Sequence, residues 1–303
     1  MMKILLVTLL LLLPGCLKLH KAKSSDRSNI YVELQNKADT YKDLIETDAN
    51  GFIMTDKCDS LLFTGLLSAA GKKADIHAAQ AADGSWHRRP GQDCGEAFGN
   101  SRSTISRDMI VGLMWHVWKH RDLDTANELM LQVKERAYRL KGQGTIGELL
   151  LTPAMITTLA HIIKKLGGPR YELELALPAA FSTAPRGFVR HLSTWLLVLH
   201  AEVAGGMSSR ELGILETYKK EEPKNPLFLA AYHRYKDGNQ VYAVVRLLDT
   251  KQWPANSLPT TDNHCSSWPI ERDTASDNWK PCSPLREHTG AELPIIFNLL
   301  LRN

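Results

Sequence analysis

The chain has little of what marks the commonest catalytic and metal-binding folds. Its 303 residues include five cysteines, and no two stand in a C-x-x-C spacing, which argues against a zinc ribbon or a thioredoxin-type redox motif. There is no G-x-S-x-G elbow, H-E-x-x-H helix, P-loop or dinucleotide fingerprint. No cofactor or metal is therefore expected. Excess charge is also scarce: 37 Lys and Arg against 33 Asp and Glu leave +4, and no basic run offers a patch to nucleic acid. The apolar run from Ile4 to Leu13 falls well short of the roughly 20 residues a membrane-spanning helix needs. What remains is ordinary globular composition, 44 % hydrophobic and 23 % charged, in a chain long enough for one large domain or two small ones.

The first sixteen residues read as an address. Lys3 precedes the short apolar run, as in a secretory signal. The run ends in Leu13-Pro14-Gly15-Cys16, which resembles the lipobox of bacterial lipoproteins. The resemblance implies removal of residues 1–15, acylation of Cys16 and a lipid membrane as partner, each buried CH₂ contributing about 0.8 kcal/mol. Leu17 in place of Asp, by resemblance to enterobacterial sorting, implies the outer membrane, with the body facing the periplasm. Residues 16–29, polar and basic, are expected to form a tether.

Once Cys16 is set aside, four cysteines remain in an oxidising compartment: Cys58, Cys94, Cys265 and Cys282. Three pairings are possible. The expected one joins Cys58 to Cys94 and Cys265 to Cys282, since each pair lies within one segment. The second bridge would close a loop of about 17 residues and contribute on the order of 3 kcal/mol.

From Ile30 the apolar spacing is helical, with Tyr31, Leu34, Ala38, Tyr41 and Ile45 at steps of three and four. Further helices are expected over Cys58–Ala70, Ser106–His120, from Asp122 to Leu140, from Thr152-Pro153 to Gly167, and over Arg186–Ala204, Ser208–Lys220, Pro226–Tyr235 and Asn239–Leu248. Strand-like alternation is scarce. The expected fold is all-α: residues 30–303 form a single domain of helical hairpins, an α/α toroid or irregular helical bundle. Residues 253–290, rich in tryptophan and poor in helix, are expected to form a loop-rich, disulfide-stapled C-terminal cap, with an apolar final helix after Glu292.

Two apolar helices begin beside a carboxylate and carry a glycine inside: Asp59 before Gly65, and Asp108 before Gly112. A glycine in a helix interior costs about 1 kcal/mol relative to alanine, so close packing is its expected reason. Asp59 and Asp108 are the candidate catalytic pair, general acid and base. Helix-capping is the plainer role for either. The intervening loop carries Trp86, His87, Arg88 and Arg89, and Arg107 adjoins Asp108. With Trp115, Trp268 and His288 these are the candidate substrate-binding residues. Tryptophan packs on sugar rings, while Arg and His donate to hydroxyls or acidic groups.

The body thus resembles α/α-toroid carbohydrate-active enzymes in architecture, without a matching catalytic motif. The resemblance implies action on an envelope polysaccharide. Hydrolysis would need two carboxyls, and elimination from an acidic sugar would use an Arg with His87 as base. The competing expectation is a non-catalytic helical scaffold lipoprotein that binds a protein or glycan partner.

Overall fold

The computed structural model describes residues 24–45, 47–53, 60–92, 105–140, 149–185, 188–223, 225–248 and 292–302. Asp59, Trp268, His288 and all five cysteines lie outside the described residues, as do the cap and its proposed bridges.

The described chain is mostly helical, as expected. The order is α1 (Ser24–Leu44), α2 (Ser60–Ala69), α3 (Arg107–His120), α4 (Leu123–Glu135), α5 (Pro153–Lys165), the single-turn α6 (Glu172–Leu175), α7 (Phe188–Ala204), α8 (Ser209–Glu221), α9 (Pro226–Lys236), α10 (Val241–Leu248) and α11 (Glu292–Ile296). A wider π turn, Phe297–Leu301, continues α11. Short 3-10 turns occupy Ile76–Ala79 and Pro90–Gln92. A two-residue antiparallel ladder pairs β1 (Arg139–Leu140) with β2 (Leu149–Leu150). No helix among the described residues is long and apolar enough to cross a membrane.

Most helix starts follow from local chemistry. Thr152 accepts the Met155 N–H ahead of Pro153, and Asn225 accepts the Leu227 N–H ahead of Pro226. Ser208 and Glu211 form a reciprocal capping box at the head of α8. Two boundaries differ from expectation. Helix α1 begins at Ser24, inside the stretch read as tether. Helix α4 ends at Glu135 rather than Leu140, because Ala137 and Tyr138 both adopt left-handed backbone (φ 50° and 63°) and the chain turns into β1.

The core is organised around α2 and α3, which are buried along almost their whole lengths. Gly65 of α2 lies against the Gly112 backbone of α3, so a Cβ at Gly65 would overlap the Gly112 carbonyl. A Cβ at Gly112 would overlap the Leu62 carbonyl. The two helices therefore cross backbone to backbone, which explains the internal glycines. Helix α3 then packs on α5 and α7, α7 on α5 and α9, and α9 on α8 and α10. Helix α11 returns to touch α1, α2 and α9, so the last described element packs against the first two.

The crossing predicts opposite outcomes for two glycines. Gly112→Ala should lower the urea midpoint by the equivalent of about 3 kcal/mol, since the obstruction is main chain and cannot swing away. Gly213→Ala, in α8 with nothing within 4 Å of the added carbon, should raise stability by about 0.5–1 kcal/mol. Equal effects would contradict the tight crossing.

Candidate functional site

A cavity lined by one expected site residue, Trp86, lies between the loop after the first 3-10 turn and the end of α4, with a volume of about 110 Å³. Its wall includes Asp83, Ser85, Trp86, Ile105, Gln132, Glu135, Arg136 and Arg139, over an apolar floor of Leu129, Val133 and Leu140.

The loop is held as a tight hairpin. Gln80 and Trp86 bridge across it, Gly84 N–H donates to the Ala81 carbonyl, and Gly84 takes φ 78°. Asp83 accepts both the Ser85 N–H (3.1 Å) and the Ser85 hydroxyl (2.5 Å). Helix α4 grips the hairpin from below: Gln132 Nε2 donates to the Gly84 carbonyl at 2.9 Å, and Gln80 Nε2 reaches Glu128 at 2.9 Å. A side chain at position 84 would strike Gln132 and Glu128. His77 leans on Trp86 with ring centroids 5.6 Å apart. Trp86 is 4 % exposed, and its indole Nε1–H has no acceptor among the described residues. A buried N–H without a partner costs roughly 1–3 kcal/mol.

The opposite wall depends on the left-handed turn after α4. Such backbone costs about 1–3 kcal/mol per residue outside glycine. The Tyr138 hydroxyl donates to Glu174 at 2.6 Å, and Leu151 N–H donates to the Tyr138 carbonyl. Lys134 also reaches Glu174, at 2.8 Å, and sits over the Tyr171 ring. Burial opposes ionisation of Glu174, but these two donors outweigh it and hold its carboxyl below the usual value. Tyr138 is thereby pinned toward α6, while Arg136 and Arg139 border the cavity on either side of it.

The structure brings together only part of the expected set. Trp86 lines the cavity. His87 and Arg88 are buried and Arg89 half-buried, and none is on the wall. The Arg88 carbonyl instead accepts the Leu61 N–H at the head of α2. Asp108 is half-buried in the first turn of α3 and Arg107 is exposed; the cavity is reached by Ile105 just before them. Trp115 is fully enclosed, donating to the Trp195 carbonyl at 3.1 Å and meeting that ring edge-on, so it packs the core and cannot touch a substrate. Gln132, Glu135, Arg136 and Arg139 were not anticipated. Their stretch contains no Gly or Pro to reveal that the helix breaks there.

Two polar clusters elsewhere are structural. At the ends of α2 and α3, His120 Nε2 lies 3.2 Å from the Ser68 carbonyl and 3.0 Å from its hydroxyl. A carbonyl only accepts, so this nitrogen carries hydrogen, and the Ser68 hydroxyl donates to His116 Nδ1 at 3.0 Å. Burial, aided by His120 and His77 and opposed by Asp122, depresses the His116 pKa to about 4. Deeper, the Asn225 amide donates to His191 Nε2 (2.9 Å), and His191 Nδ1 donates to Glu292 (2.8 Å), with all three residues at 0 % exposure. Burial depresses His191 to about 3. Among the described residues no group of three or more His, Cys, Asp or Glu is arranged to hold a metal.

These neutral histidines give an acid-side prediction. Their folded pKa values lie below the ordinary 6.5, so the stability they confer is complete above about pH 6.5 and falls as the unfolded chain gains protons. For His116 that loss runs down to about pH 4 and is on the order of 3 kcal/mol. His116→Asn, which keeps an acceptor for Ser68, should flatten the urea midpoint against pH in this window. An unchanged slope would contradict a neutral buried His116.

No family model matches the chain, and neither a curated protein nor a solved structure is similar to it.

Proposed function

We propose that the protein is an envelope lipoprotein, anchored through acylated Cys16, whose helical body binds a saccharide in the cavity beneath Trp86. On this reading residues 253–290 form the cystine-stapled cap. The return of α11 to α1 and α2 supports a closed, toroid-like arrangement of the helices. The observation that carries the reading is a cavity wall on which Arg139 as donor and Glu135 as acceptor stand beside the Trp86 ring. A sugar ring presents hydroxyls that donate and accept at once, together with an apolar face for Leu129, Val133 and Leu140.

Binding is favoured over hydrolysis by Asp83. Its carboxylate already accepts the N–H and O–H of Ser85, which suits a wall-builder better than a proton donor. The catalytic alternative keeps Asp59 and Asp108 as acid and base, with the outer membrane as the place of action.

Titration of the full chain in detergent against a glycan panel tests the reading. At least one saccharide should bind. Arg139→Ala should keep the fold, since the residue is exposed, yet weaken that saccharide about fivefold. Absence of binding across the panel, or equal affinity for the Ala variant, would refute it.

A further inference from the structure

Two side-chain clusters fix the directions of the central helices. His191, in the first turn of α7, meets Asn225 and Phe228 at the head of α9 and Glu292 at the head of α11. Glu202, in the last turn of α7, meets Trp118 and Lys119 in the last turn of α3 and Arg234 in the last turn of α9. Arg234 also donates to the Leu299 and Leu300 carbonyls, in the turn that continues α11. Ser68, near the end of α2, meets His116 and His120 near the end of α3. Helices α2, α3, α7, α9 and α11 therefore run parallel, with their heads on one face and their tails on the other. The Trp86 cavity lies on the head side, since Ile105 precedes α3 and Glu135 ends α4, which starts beside the tail of α3.

Helix α1 runs in the same direction. Gln240, just ahead of α10, donates to the Leu300 carbonyl, so α10 starts among the tails and ends at the heads. Lys37 Nζ donates to the Leu247 carbonyl in the last turn of α10, which sets Lys37 near the heads. Lys72 Nζ, just past α2, donates to the Lys42 carbonyl, which sets Lys42 near the tails. The rest of α1, residues 24–36, extends about 20 Å further on the head side.

We propose that the face bearing the helix heads is turned toward the bilayer that holds Cys16. This rests on the anchoring through Cys16 in the reading above. Residues 17–23 separate the anchor from α1 and span at most about 28 Å. Helix α1 has 21 residues, is about 31 Å long and ends among the tails at Leu44. Even a fully drawn-out tether therefore falls short of the tail face, whereas the head face lies on the anchored side. The partner of this face is the lipid surface, and the Trp86 cavity stands on the same side of the body, toward ligands that the surface carries.

The test uses the full acylated chain in phosphatidylcholine vesicles with an energy-transfer acceptor on a fraction of the head groups. A fluorescent unnatural amino acid replaces Arg107, exposed at the head of α3, or in a second chain Lys165, exposed at the end of α5. Position 165 belongs to the tail side, since Gly168 lies against Leu123 at the start of α4. Transfer should be at least twofold more efficient from position 107 than from position 165. An insert of about twenty Gly and Ser residues after Cys16 should level the two, because it frees the body to turn. Cys16→Ser should show transfer from neither. Equal transfer from the two positions, or more from position 165, would overturn the orientation and leave the anchor reading intact. A difference that survives the long insert would overturn the tether as its cause. Transfer that survives Cys16→Ser, or a Cys16 found without lipid by mass spectrometry, would overturn the proposal together with the anchor reading.

Discussion

The crossing of α2 and α3 at Gly65 and Gly112 is the constraint on which the rest of the molecule depends. With main chain against main chain there is no side chain to adjust, so the separation and rotation of the two helices are set by hard contact. That closeness puts Ser68 within reach of both His116 and His120 at one end of the pair. At the other end the head of α2 takes up the Arg88 carbonyl, which ties down the loop that follows the Trp86 hairpin. Helix α3 then presents Ile105 to the cavity. The glycines cost helix propensity, and the apolar contact along both helices offsets it.

A second level of order comes from polar groups that apolar packing alone would not position. Arg190 is nearly buried, and its guanidinium spends its donors on Glu222, Glu221 and the Ala184 carbonyl while lying over the Tyr218 ring. It binds the start of α7 to the end of α8 in one orientation. Nearer the surface, Glu202 collects Trp118, Lys119 and Arg234. Through the contacts of Arg234 with the Leu299 and Leu300 carbonyls, it connects α3 and α7 to the final turn. A buried charge with one partner removed is costly, so such networks specify arrangement as much as they add stability.

The parts of this structure legible in the sequence are those decided within a few residues. Thr152-Pro153, Ser208 and Pro226 announced their helices, and the internal glycines announced close packing. Trp86, in a polar loop between two apolar helices, does line a cavity. What escaped was decided at a distance. Nothing near Tyr138 signals a left-handed turn; it is held by Glu174, thirty-six residues away. Without that contact in view the helical pattern runs on to Leu140, and Arg136 and Arg139 look like an ordinary solvated face. The core position of His191 depends likewise on a distant partner, Glu292, 101 residues downstream. Trp115 looked like a binding aromatic because sequence proximity to a polar loop says nothing about which way a helix faces.

Asn225 links two of these events. Its side-chain oxygen is committed to the Leu227 N–H at the head of α9, which leaves only the amide nitrogen to meet His191. The ring must then carry its hydrogen on the other side, where it faces Glu292. The receptor for the closing segment is thus completed by the nucleation of an earlier helix. Assembly acquires an order: residues 292–302 find their seat only after the middle of the chain has folded, and a nascent polypeptide halted before that point would expose an unfinished seam along α1, α2 and α9.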